Sequence, residues 1–173
     1  MQALATTAYA ISSTLNLDQV LRLLAEHAFK LLEVEAASIG LVEGDHLVYR
    51  EAAGAAAEQV KGASIEVGQG IAGWVAANNQ PALVPDVSAD PRFYPTMDQQ
   101  TGYRTRAIAS VPIEIQGRVI GVIEAINPLK RRFDSETINL LTSLASLAGT
   151  AARHHHRHRT AVDRRTAAGA ASL

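Results

Sequence analysis

The chain has 173 residues, 47% hydrophobic and 19% charged, and 16 basic against 17 acidic residues give a formal net charge of -1. That is enough for one domain with a full core plus some helical extension, and the charge balance gives no general case for nucleic acid. With no cysteine in the sequence, disulfides, thiolate metal sites, thiol nucleophiles and thioether-linked chromophores are excluded together.

No basic-then-apolar leader follows Met1, and no uninterrupted apolar run approaches ~18 residues, so a soluble, cytoplasmic protein without a membrane partner is expected. Residues 3–15 carry Leu4, Ala8, Ile11 and Leu15 at helical spacing. Asn16-Leu17-Asp18 interrupts them, and Asp18 suits the start of a second helix over 19–32. Val20, Leu21, Leu24, Ala28, Leu31 and Leu32 form its apolar stripe, and His27 beside it reads as a structural or surface histidine. Strands follow over 36–43 and 46–53, joined at Gly44-Asp45, and 54–62 is a small, polar surface connection.

A short strand over 64–67 ends in Gly68-Gln69-Gly70, which opens a helix over 71–78. Gly68, Gly70 and Gly73 spell G-x-G-x-x-G, but no βαβ unit or suitably spaced ribose acid follows, so a tight turn with close helix packing explains them. Trp74, the only tryptophan, points from this helix into core or pocket. After a brief strand at 82–84, residues 85–105 form the longest irregular stretch. Loops of that length are uncommon unless functional or disordered. Phe93, Tyr94, Met97 and Tyr103 are too much apolar area to leave in water, so this stretch reads as a lid folded over one sheet face.

Two β-branched runs, 108–115 and 119–126, flank Gln116-Gly117-Arg118 and predict a hairpin. Neither alternates cleanly, which argues for central strands covered on both faces. Pro112 cannot donate to a ladder, so that side of its strand must meet an edge, a bulge or a short neighbour. A long helix then opens at Asp134 or Ser135, with Leu140, Leu141, Leu144, Leu147, Ala148, Ala151 and Ala152 on its apolar side. The 3–4 spacing persists through His155, Arg159 and Val162, and the small, polar residues 166–173 are expected to fray. Ala-rich stripes on residues 3–15 and on this helix are poorly covered by one small domain, so a homodimer through terminal helices is expected.

Glu124 interrupts the last strand. A two-residue hairpin loop places it on the face of Val111, Ile113, Ile120 and Val122. An unpaired carboxylate there costs several kcal/mol or neutralises itself, so Arg104, Arg106, a loop N–H or a ligand must supply a donor. The run Arg153-His154-His155-His156-Arg157-His158-Arg159 holds four of the 6 histidines. His154 and His158 stand at i, i+4, but no carboxylate completes a metal site and the arginines repel a cation. It reads as a solvated basic helix end, without an element for specific nucleic-acid reading. Ser110 has no His–Asp company, and no catalytic constellation is visible.

Assembled, these parts resemble a GAF domain, the small-molecule regulatory module of signalling proteins. The resemblance rests on residues 68–75 (GQGIAGWV), Pro81 with Val84-Pro85-Asp86-Val87, and Asp90-Pro91-Arg92-Phe93. It continues through Ser110-Val111-Pro112-Ile113, residues 119–127 (VIGVIEAIN) and Phe133-Asp134. It implies an α+β, GAF/PAS-like fold: an antiparallel sheet of five or six strands, the first and last helices on one face, and a ligand pocket under a loop and short-helix lid on the other. Residues 16–153 would be the domain, 1–15 a dimerising helix, and 154–173 a basic extension with a frayed tail. Members that bind cyclic nucleotides often carry Asn-Lys…Phe…Asp-Glu after the last strand. Here Asn127, Phe133 and Asp134 fit, whereas Pro128 and Ser135 replace the lysine and glutamate, leaving Lys130 or Arg131 as substitutes. One GAF-like enzyme family reduces free methionine sulfoxide with cysteine thiols, which this chain lacks. The expected function is therefore non-catalytic sensing of an unidentified small molecule, coupled to an effector domain or protein, with no cofactor named by the sequence. Trp74, Phe93, Tyr94, Met97 and Tyr103 would supply stacking area, and Arg106, Ser110 and Glu124 the polar contacts. An empty dimerisation module is the competing reading.

Overall fold

Asn16 starts the first helix through a reciprocal capping box. Its Oδ1 accepts from Gln19 N–H at 2.9 Å, while Gln19 Oε1 accepts from Asn16 N–H at 3.0 Å. Helix α1 (Leu17–Leu31) thus begins two residues before the start at residue 19 expected from sequence, with Asn16 rather than Asp18 as its cap. The computed structural model describes residues 16–170, so the helix expected over 3–15 lies outside the described residues.

The remaining elements are β1 (Val34–Glu43), β2 (His46–Gly54), α2 (Ala57–Val60), β3 (Ser64–Glu66), α3 (Gly70–Asn78), β4 (Ala82–Val84), α4 (Thr96–Thr101), β5 (Ile108–Ile115), β6 (Arg118–Pro128) and α5 (Ser135–Ala170). The strands form one antiparallel six-stranded sheet in the order β3-β2-β1-β6-β5-β4. On one face Ala37, Ile39, Ala109, Val111, Ile113, Ile123 and Ala125 pack against Leu21, Leu24 and Ala28 of α1 and Leu141, Leu144 and Ala148 of α5. On the other, Leu47, Tyr49, Ile108 and Val122 pack against Ile71 and Val75 of α3 and the segment from Val87 to Met97. The sheet is therefore buried on both sides, which is why its inner strands read as continuous apolar runs.

β4 pairs with β5 only from Val84↔Ile108 to Ala82↔Ser110. Pro112 lies just past that short neighbour, where its missing donor costs no ladder bond. The β5–β6 loop is the two-residue turn expected: Gln116 and Gly117 sit at φ 52° and 79° between the paired Ile115 and Arg118. One residue later the register slips, since Glu114 pairs with Val119 but Ile113 pairs with Gly121, leaving Ile120 as an extra residue. An alanine Cβ at Gly121 would lie 2.3 Å from the Gly40 carbonyl oxygen, so β1 and β6 close up at this bulge only because Gly121 has no side chain.

Asp134 caps α5, accepting from Thr137 N–H at 3.1 Å while Thr137 Oγ1 accepts from Asp134 N–H at 3.1 Å. The helix runs to Ala170, consistent with the high helix propensity of the alanines among 166–170. Ala148 and Ala151, expected on a stripe left for a second copy, are 1% and 8% exposed and belong to the core of their own domain.

Amide hydrogen exchange should be slowest in β1 and β6, each paired on both edges, and faster across 89–105. Exchange of β6 as fast as that segment would contradict the sheet order.

Candidate functional site

The bulge decides where the site's one buried acid points. Because residues in register across antiparallel strands share a face, the slip sets Glu124 opposite Ser110 rather than Ala109. Glu124 therefore leaves the helix-covered face of Val111 and Ile113, where sequence reading put it, and turns toward the lid beside Pro112 and Val122. On its other side β1 offers Ser38, so Ser110, Glu124 and Ser38 form a polar row across three strands. All three are buried, at 0%, 5% and 3% exposure.

Ser38 Oγ donates to Glu124 Oε1 at 3.1 Å. The Tyr49 hydroxyl on β2 also favours the carboxylate by hydrogen bonding, but burial outweighs both and raises the Glu124 pKa from its ordinary value. Burial likewise pushes the Tyr49 hydroxyl well up, with the Glu124 charge adding to it. Neither Arg104 nor Arg106 supplies the donor expected from sequence. The Ser110 hydroxyl, though fully buried, has no hydrogen-bond partner among the described residues.

Above this row lies a cavity of about 70 Å³, lined by Glu124, Tyr49, Ile108 and Ile126 of the sheet, Gly70–Ala72 of α3, and Phe93, Tyr94, Met97, Asp98 and Thr105 of the lid. A second void of about 40 Å³ shares Met97, Asp98, Thr105 and Ile126 and continues over Ala36, Ser38, Ala52 and Ala53 to Tyr103. Small side chains on β1 and β2 leave this space. A wider concavity, about 570 Å³, is an open groove between α5 and the uncovered edge of β5. Its rim polar groups serve each other, with Asn79 donating to Glu114 at 2.8 Å.

The lid is pinned at several points. Asp98 accepts from Thr105 N–H and Oγ1, each at 2.7 Å, closing the turn after α4. Asp90 binds Arg92 at 2.7 Å, which holds the Asp90 carboxyl below the usual carboxylate range. The Arg92 guanidinium stacks on Trp74 at 4.5 Å from the ring centroid. At the far end Asn127 Oδ1 accepts from the N–H groups of Arg106 (2.7 Å) and Ala107 (3.0 Å). Its Nδ2 donates to Glu35 (2.9 Å), the Tyr103 hydroxyl (2.7 Å) and the Arg104 carbonyl (2.9 Å). Tyr103 also donates to Glu35, and that bond, then Asn127, holds the Glu35 carboxyl below its ordinary pKa.

Of the residues singled out from sequence, Phe93, Tyr94, Met97 and Glu124 line the larger void and Tyr103 the smaller. Ser110 lies beside Glu124 in the row but lines neither void. Trp74 is turned to Arg92 and lines neither void, and Arg106 pairs with Glu35 at 3.2 Å at the sheet end. Sequence reading passed over Ser38, Tyr49, Asp98 and Thr105. Ser38 and Tyr49 were hidden by a second bulge, between Ile39 and Gly40, which puts them on one face of β1 and β2. Among the described residues no three His, Asp or Glu side chains are grouped to hold a metal, and no helix is long and apolar enough to cross a membrane.

A family model described as GAF domain matches residues 16–152. A dual 3',5'-cyclic-AMP and -GMP phosphodiesterase 11 of Drosophila melanogaster is 41% identical over 80 residues, 46% of this chain and 6% of that protein. A probable 3',5'-cyclic phosphodiesterase, pde-5, of Caenorhabditis elegans is 28% identical over 150 residues, 80% of this chain and 21% of that protein. The chain thus spans a small part of both curated relatives. The solved GAF domain of a phosphoenolpyruvate-protein phosphotransferase from Coxiella burnetii superposes with a TM-score of 0.79, at 20% identity, over 92% of this chain and 95% of that one.

Proposed function

The chain belongs to the GAF domain family, and from that premise we propose that it is a non-catalytic sensory module binding a small ligand between sheet and lid. The observation that carries this reading is Glu124, a buried carboxylate on a cavity wall whose neighbours donate only neutral hydrogen bonds. A group of that kind is costly in a merely structural core. Phe93, Tyr94, Met97 and Tyr103 give the ligand its contact area, and Ser110 offers an unspent hydroxyl. Ligand entry displaces Met97 and the turn held by Asp98 and Thr105, and the lid's end passes that shift through Asn127 to β6. The output is a homodimer acting through the terminal helices, which the exposed length of α5 beyond Ala152 supports.

Cyclic-nucleotide binding is a second reading, favoured by the names of the two phosphodiesterase relatives. Against it, Lys130 pairs with Glu33 at 3.4 Å and Asp134 is occupied as a helix cap, so the tie of the usual signature is not made. The void of about 70 Å³ is also well below the roughly 300–1,000 Å³ of pockets for nucleotide-sized ligands.

Native mass spectrometry of protein purified gently from cells should give twice the 18.4 kDa chain mass with a small adduct. A bare dimer leaves only a dimerisation module; a bare monomer removes both parts of the proposal.

A further inference from the structure

The charge of the ligand can be read from the walls of its cavity. Around the larger void the ionisable groups are Glu124, Asp98, Tyr49 and Tyr94; around the smaller they are Asp98 and Tyr103. Neither is lined by a lysine, arginine or histidine. The nearby arginines are turned elsewhere: Arg92 to Asp90 and Trp74, Arg106 to Glu35, while Arg104 is exposed. The one positive contribution is the N-terminal turn of α3 at Gly70–Ala72, equivalent to roughly +0.5 charge against two carboxylates.

The carboxylates also differ in what they already hold. Both Asp98 oxygens are engaged by Thr105. Glu124 holds only neutral donors and faces no basic side chain among the described salt bridges. Beside it in the polar row, behind the cavity wall, Ser110 Oγ is fully buried without a hydrogen-bond partner among the described residues. Tyr49, Phe93 and Tyr94 add rings to the same wall, and aromatic faces attract cations.

Resting on the ligand-site reading above, we infer that this cavity takes a small ammonium-bearing ligand, its N–H groups directed at Glu124 and its alkyl part against Phe93, Met97 and Ile126. An anionic ligand has no counter-charge there, and a neutral one leaves Glu124 without its partner. The size agrees: a void on the order of a few water molecules suits a primary alkylamine better than a nucleotide.

The test uses three probes of equal length and different charge, propylammonium, 1-propanol and propionate, with cyclic AMP as a fourth. Each is titrated at constant ionic strength into the full chain labelled for amide NMR. Propylammonium should move the amides of Phe93, Met97, Thr105 and Glu124 saturably, with 1-propanol at least tenfold weaker and propionate silent. Glu124→Gln should weaken propylammonium at least tenfold, removing most of its margin over 1-propanol. If propionate or cyclic AMP moves those amides and propylammonium does not, the charge assignment is wrong although the cavity is still a ligand site. If propylammonium binds equally well to Glu124→Gln, the assignment is also wrong. If no probe disturbs these amides, the cation and the ligand site fall together.

Discussion

Asn127→Ala is expected to destabilise the protein by about 3–7 kcal/mol, from two sources. The substitution leaves the N–H groups of Arg106 and Ala107 without their acceptor, each at a cost of about 1–3 kcal/mol. It also puts alanine at φ 57°, a left-handed conformation that asparagine tolerates better, for roughly 1 kcal/mol more. For a chain of this size the loss is a fall in thermal midpoint on the order of 10 °C. Asn127→Asp should recover part of it, because a carboxylate still accepts from both amides, but it sets a second acid against Glu35 in place of a donor. Urea denaturation of the three proteins is the measurement. A loss below about 1 kcal/mol for the alanine variant would mean that the sheet alone holds the end of the lid.

Glu124→Gln should act in the opposite direction, raising stability by about 1–3 kcal/mol at pH 8, the range for a buried polar group that the fold does not fully satisfy. Burial lifts the Glu124 pKa above its ordinary 4.5 against the hydrogen bonds of Tyr49 and Ser38. The folded protein consequently holds this proton more tightly than the unfolded chain. The wild type gains stability as pH falls from the raised value toward 4.5, and loses it as pH rises through the raised value. Glutamine abolishes that dependence, so the gap between variant and wild type should be widest at pH 8 and close near pH 4.5. The groups facing the carboxyl are Ser38, Tyr49, Ser110 and, across the cavity, Asp98, none of them basic. A variant less stable than wild type at pH 8 would mark Glu124 as a satisfied structural acid. More stable yet weaker in binding propylammonium is the combination expected of a group kept for its ligand.

Much of this was open to reading in the chain, and the failures share one cause. The Gln116-Gly117 turn, the uncovered edge at Pro112 and the lid with its aromatics follow from local chemistry: positive φ, a missing donor, apolar area. The face of Glu124 does not. It depends on whether one residue near Ile120 is paired or left over, and Ile120 is as apolar as its neighbours, so no change of pattern marks the bulge. The bulge at Ile39 and Gly40 hid Ser38 and Tyr49 in the same way. Strand parity is a count, and one unmarked residue inverts everything beyond it. Asn127 was legible as a signature residue, but its clamp joins Glu35, Tyr103 and the backbone at 104–107, partners that no local window contains. At Ala148 the same stripe fits the protein's own sheet or a second copy, and only the fold decides.

Under the proposed function, helix α5 would set a scale for mechanical output. A Cβ at Gly149 would stand 2.9 Å from the Glu114 carbonyl oxygen, so rod and sheet meet there without slack, as at a fulcrum. From about Arg153 to Ala170 the same unbroken rod projects with exposed sides, an arm of roughly 27 Å at 1.5 Å per residue. A tilt of about 5° at the fulcrum, roughly 32 Å from Gly149 to Ala170, would sweep the tip through roughly 2.8 Å on that geometry. If the proposed signalling role holds, small adjustments of β5 would be magnified along this arm into displacements large enough to change how side chains at the far end meet a partner.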